Sequence, residues 1–118
     1  MLVSAGIAHA IEIAPFEPSA FEAAKMAGKS VVVDVTASWC STCRAQTKII
    51  DSLAGKAEYK DVLVLKLDYD GQKDEMRSLG AQNRSTLIAF KGAEETGRSV
   101  ADTDPASVEK LFASTLGQ

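Results

Sequence analysis

The sequence predicts an α/β domain with a central mixed sheet, mostly parallel with a C-terminal antiparallel hairpin, and helices on both faces. Three observations carry this. Short β-branched runs alternate with amphipathic helical stretches, the pattern of parallel strands joined by crossover helices. The run Ser30-Val31-Val32-Val33-Asp34-Val35-Thr36 is apolar on both sides, as a doubly covered central strand must be. The last two strands are separated only by the short Gly92 to Gly97 stretch, too brief for a crossover.

Each element has its own signal. Residues 11–16 are a short apolar-rich strand closed by Pro18, and Ser19-Ala20-Phe21-Glu22 has the capping-box pattern for a helix through Ala27, ended by Gly28. After the central strand, Ala45, Ile49 and Leu53 recur at helical spacing and Gly55 supplies a stop. Residues 62–67 form the next buried strand, 74–79 a short helix ending at Gly80, and 86–90 a further strand. A hairpin turn over 92–97 leads into a strand ending at Val100. Asp104 as N-cap and Pro105 at the first helical position open the last helix, whose apolar face is Val108, Leu111, Phe112 and Leu116.

A chain of 118 residues can bury one core without metal or disulfide staples, which makes 11–118 a single domain. Residues 1–10 stand apart. Ala8-His9-Ala10 fits the small-x-small pattern of a signal-peptidase site, but no basic region precedes it and the apolar stretch is short. These residues are either a signal-peptide remnant or a disordered N-terminus. A net charge of −3 excludes the concentrated basic face of a nucleic-acid binder. No apolar run is long enough for a membrane span.

Only two cysteines occur, Cys40 and Cys43, three positions apart. A structural disulfide this short closes almost no loop and stabilises little. A structural zinc needs four ligands and the one histidine, His9, lies in the terminus set aside; no metal site is expected within the chain. The pair falls where the central strand passes into a helix, at the carboxyl end of the sheet, where open α/β sheets place their chemistry. Unpaired N–H groups and the helix dipole there favour a Cys40 thiolate, the attacking group, and Cys43 one turn on becomes the resolving thiol. Trp39, Ser41 and Thr42 read as an exposed loop around the pair, and not as a core. Asp34, flanked by valines, is a buried carboxylate with a raised pKa suited to acid–base work, or else an aspartate at a solvated strand end.

The stretch Val31-Val32-Val33-Asp34-Val35-Thr36-Ala37-Ser38-Trp39-Cys40-Ser41-Thr42-Cys43 resembles the active-site strand and loop of thioredoxins, and the element order from Ile11 onward matches that fold. The resemblance implies that Asp34 moves protons to and from Cys43 and that Lys66 is its partner; Lys66 also reads as a lysine snorkelling from a strand end. It implies a loop at Arg84-Ser85-Thr86 that holds substrate polypeptide like an added strand. Thioredoxins carry a cis-proline there, and this chain has Ser85. The expectation is a strained cis Arg84–Ser85 bond, with a relaxed trans loop as the alternative, a Ser85 hydroxyl near Cys40, and Arg84 adding positive charge beside the sulfur. The Ser-Thr between the cysteines, Thr36 in place of a tryptophan and Lys48 in place of a helix-kinking proline mark a specialised member.

The expected activity is thiol–disulfide exchange with protein substrates through Cys40 and Cys43, running as a reductase; alternatives are a disulfide oxidase or isomerase, or a non-catalytic binding or chaperone module. No nucleotide or flavin motif is present, so no cofactor is expected and electrons come from a protein donor, either a membrane thiol transporter or a thioredoxin reductase-like partner. The expected setting is the periplasm, with the cytoplasm as alternative, and the expected state is a monomer.

Overall fold

A computed structural model describes residues 11–117. Five strands and four helices follow in the order β1 (Glu12–Pro15), α1 (Pro18–Met26), β2 (Ser30–Thr36), α2 (Ser41–Leu53), β3 (Leu63–Asp68), α3 (Lys73–Ser78), β4 (Thr86–Lys91), β5 (Glu94–Val100) and α4 (Pro105–Ser114), with a short 3-10 turn at Ala57–Tyr59. The sheet order is β1-β3-β2-β4-β5. β1, β3 and β2 run parallel; β4 is antiparallel to β2, and β5 to β4. The predicted mixed sheet with its C-terminal hairpin is therefore present.

Helix length decides the strand directions. α2 has 13 residues and spans about 20 Å, enough to return the chain along the sheet to the start of a parallel β3. α3 has six residues and spans only about 9 Å. The chain therefore enters β4 at the end where β2 and β3 finish, with the Ser85 N–H bonded to the Val35 carbonyl at 2.7 Å, and must run back antiparallel. That return brings Ser85 beside the cysteine loop.

The alternation of β2 separates two cores. Val31, Val33 and Val35 face one side with Phe16, Phe21, Leu65, Leu67 and Met76. Val32 faces the other with Ile50, Tyr59, Val64, Leu87, Val108 and Phe112. Asp34 shares the parity of Val32 and so belongs to the α2 side, the side of Cys43.

Several sequence expectations shift. Ser19 is not the cap of α1: the helix begins at Pro18, with Glu17 at the N-cap and no side-chain cap bond. Proline's fixed φ and missing N–H suit the first helical position, which makes the cap dispensable. The hairpin turn is shorter than 92–97, because β5 already begins at Glu94 and Gly92 (φ +58) makes the turn. Leu116 lies beyond α4 and is exposed; Thr115 takes the buried place, its hydroxyl donating to the Phe112 carbonyl at 2.8 Å. The Asp104 cap is as expected, accepting from the Ser107 N–H at 3.2 Å.

Phe112 anchors α4, fully buried and edge-on to Tyr59 at 6.4 Å between ring centroids. Phe112→Ala is expected to cost about 3–5 kcal/mol by lost burial and the cavity left behind. A urea-denaturation midpoint within error of wild type would contradict this packing.

Candidate active site

Cys40 is the N-cap of α2, with φ −97° and ψ 112°, and its Sγ accepts the Cys43 N–H at 3.1 Å. The thiol thus occupies the place a serine or aspartate side chain usually takes, satisfying an otherwise unpaired helix N–H. Both cysteines are free thiols and nearly covered, at 2% and 3% exposure. Ser41 and Thr42 form the first turn of α2 and are not part of a loop, because the cap at Cys40 starts the helix one residue later. Trp39, 55% exposed, does stand at the surface.

Across from the helix lies Ser85. Its Oγ is 3.3 Å from Cys40 Sγ and 3.1 Å from Cys43 Sγ. A hydroxyl has one proton to give and lone pairs to accept. It can donate to Cys40, the direction that favours a Cys40 thiolate. Burial pushes its pKa up, but hydrogen bonds from the Cys43 thiol, the Ser85 hydroxyl and the Cys43 N–H, with the Arg84 charge, bring it below the ordinary thiol value.

The expected cis bond is absent: no cis peptide occurs among the described residues, and Ser85 instead takes φ +60°. A left-handed residue costs about 1–2 kcal/mol, against about 3–4 kcal/mol for a cis bond before a non-proline residue. The cheaper distortion suffices to aim Oγ at the sulfurs. The loop is trans, but it is not relaxed.

Asp34 is 2% exposed, so the solvated strand-end reading does not hold. Burial raises its pKa to about 6, with the Lys66 ammonium pulling the other way. Lys66 Nζ lies 3.9 Å from Asp34 Oδ2 while its side chain remains a third exposed, which joins the two readings of that lysine. A groove of about 510 Å³ beside Cys43 is lined by Ala37, Arg44, Thr47, Lys66 and Asp68.

Of the remaining predicted residues, Arg84 and Trp39 meet at the surface, while Thr86 lies inside. The Arg84 guanidinium sits 5.3 Å over the Trp39 ring. Thr86 is buried and its hydroxyl donates to the Asn83 carbonyl at 2.6 Å. Sequence reasoning missed three residues here. Asp70 accepts the Trp39 Nε1–H at 2.8 Å, and Tyr69 meets the Trp39 ring edge-on at 6.1 Å. Gln46, wholly buried on the Cys43 face of α2, binds the carbonyls of Ser85 and Asp102. Its position between Cys43 and Ile50 at helical spacing was the available signal.

A dithiol capping a helix at the carboxyl end of a parallel strand, with one thiol acidified, is the site of a thiol–disulfide oxidoreductase. Comparison with known proteins agrees. The thioredoxin family profile matches residues 12–114. Thioredoxin of Chlamydia muridarum is 38% identical over 82 residues, covering 70% of this chain and 78% of its own. Thioredoxin-2 of Saccharomyces cerevisiae is 33% identical over 99 residues, covering 83% and 92%. The crystal structure of Trxlp from Edwardsiella tarda superposes with a TM-score of 0.82 at 30% identity, covering 86% of this chain and 98% of that one. The chain belongs to the thioredoxin family and exchanges disulfides with proteins through its Cys-Ser-Thr-Cys pair.

The raised pKa of Asp34 has a stability consequence. Between pH 4 and 6 the native carboxyl keeps a proton that the unfolded chain has released, so stability falls as pH rises through that window. Above it the buried charge costs about 3 kcal/mol, at 1.4 kcal/mol per pH unit between 3.8 and about 6. Asp34→Asn is therefore expected to stabilise the fold by about 2–3 kcal/mol at pH 7 and by almost nothing at pH 4. Urea denaturation at both pH values checks the sign.

Proposed function

We propose that the chain is a reductase of protein disulfides, with residues 11–118 as its catalytic unit. The Cys40 thiolate attacks one sulfur of a substrate disulfide; a mixed disulfide forms and the other substrate sulfur leaves as a thiolate. Cys43 then attacks Cys40 Sγ, its proton passing toward Asp34 on the same side of the sheet. The second substrate thiol departs, and a Cys40–Cys43 disulfide remains, two electrons having moved to the substrate. The observation that carries this reading is Cys40 Sγ at the α2 N-cap, held between the Cys43 N–H and Ser85 Oγ, in a chain whose relatives are thioredoxins.

The other residues have supporting parts. Trp39 and Arg84 make the exposed rim along which an extended substrate lies, with Ser85 and Thr86 beneath it and β4 supplying the strand direction. Ser41 and Thr42 fill the turn between the cysteines, and Lys66 holds the Asp34 charge when it forms. One protomer supplies Cys40, Cys43, Asp34 and Ser85, which supports a monomer as the working unit. A second protein must re-reduce the pair. In the periplasm this donor is a membrane thiol transporter; in the cytoplasm it is a thioredoxin reductase-like protein. The periplasmic reading rests on Ala8-His9-Ala10, which lies outside the described residues, and cell fractionation tests it. No described helix is long and apolar enough to cross a membrane.

Insulin reduction by dithiothreitol tests the activity. Cys40→Ser is expected to lose the acceleration altogether, and Cys43→Ser to accumulate a mixed disulfide visible on a non-reducing gel. Equal weak activity of wild type and Cys40→Ser would favour a binding module instead. Ser85→Ala removes hydrogen bonds that stabilise the dithiol form, and should make the couple about 20–40 mV more reducing against glutathione.

A further inference from the structure

The geometry at Ser85 leaves a question of what holds it. Its φ of +60° is disfavoured for any residue with a Cβ, and Ala101, the residue facing it, has φ +57°. The Ala101 N–H donates to the Ser85 carbonyl at 2.9 Å. Two left-handed non-glycine residues bonded to each other need an outside anchor.

Gln46 supplies one. Its Nε2 donates to the Ser85 carbonyl at 3.1 Å and to the Asp102 carbonyl at 3.0 Å. Both amide protons are thus spent on the two strained loops, and the Ser85 carbonyl has both lone pairs filled. The side chain is wholly buried and its Oε1 has no hydrogen-bond partner. An orphaned buried acceptor is costly, so an apolar residue would serve the core better. What the glutamine supplies that an apolar residue cannot is its pair of donors. Gln46 also stands three residues after Cys43 on α2, so the helix that carries the resolving thiol carries the anchor for the opposing loop.

We propose that Gln46 is a positioning residue, which ties the Ser85 and Asp102 carbonyls to α2 and so holds Ser85 Oγ across the two sulfurs. The inference rests on the reading of Cys40 as the attacking thiol and Ser85 as its hydrogen-bond partner. Arg84, the charged group that acts on Cys40 from the same loop, is unaltered by the changes below.

The test is the pH profile of Cys40 alkylation by iodoacetamide in the reduced protein, in wild type, Gln46→Met, Ser85→Ala and the double variant. Methionine keeps the volume and removes both the donors and the orphaned acceptor. Gln46→Met is expected to move the titration upward and slow alkylation at neutral pH about two- to fivefold, as Ser85→Ala does. In the Ser85→Ala background the same change should have no further effect, because the two act through one hydroxyl. A lower melting temperature with an unmoved titration in Gln46→Met overturns the proposal while leaving Ser85 in place. An unmoved titration in Ser85→Ala overturns both. Equal, additive shifts in the two backgrounds also overturn it. Should Gln46→Met not fold, the Nε2 protons of Gln46 in 15N-labelled wild type decide: slow exchange and a resonance shift on Ser85→Ala support the tie, and fast exchange refutes it.

Discussion

β2 is hydrogen-bonded along both edges, to β3 and to β4, and covered on both faces. Every part of the site depends on that strand being immobile. It ends at Thr36, and the chain turns directly into the helix that Cys40 caps. Its Val35 carbonyl receives the Ser85 N–H, fixing the opposing loop. Its one charged residue, Asp34, is aligned with Lys66 in the β3 register. A strand fixed on four sides can hold a buried carboxylate and a strained serine that a looser frame would let relax.

The electrostatics at the site oppose one another in a useful way. Burial acts against both charged forms, of Cys40 and of Asp34. At Cys40 four local donors and charges outweigh it; at Asp34 a lysine 3.9 Å away does not. One group is thereby tilted toward giving up its proton and the other toward keeping one. Pairs of groups pushed in opposite directions by their surroundings are what a proton-coupled exchange requires.

How much of this was legible depended on whether a feature is local. The valine run of β2, the Asp104-Pro105 start of α4 and the spacing of Cys40 and Cys43 are local patterns, and each stands where the sequence places it. Asp34 was legible for the same reason, as a charge inside an apolar strand. What escaped was decided by partners distant along the chain. Asp70 holds Trp39 from 31 residues away. Gln46 reads as an ordinary polar helix residue until the carbonyls of Ser85 and Asp102 arrive beside it. The conformation of Ser85 turned on a competition between two backbone distortions, which residue identity alone does not weigh. Ser19 and Leu116 misled because a cap pattern and a helical period extend past the point where Pro18 and Thr115 take over.

The shared hydroxyl of Ser85 has one more implication. Its two partners exist together only while the cysteine pair is reduced. Closing the Cys40–Cys43 bond replaces them with a disulfide, a poor acceptor and no donor. The bonds that hold the Ser85 backbone, from its N–H to the Val35 carbonyl and from the Ala101 N–H and Gln46 Nε2 to its own carbonyl, involve neither sulfur. The redox state of the pair is thus felt at the Ser85 side chain, while the hydrogen bonds of its backbone do not depend on it.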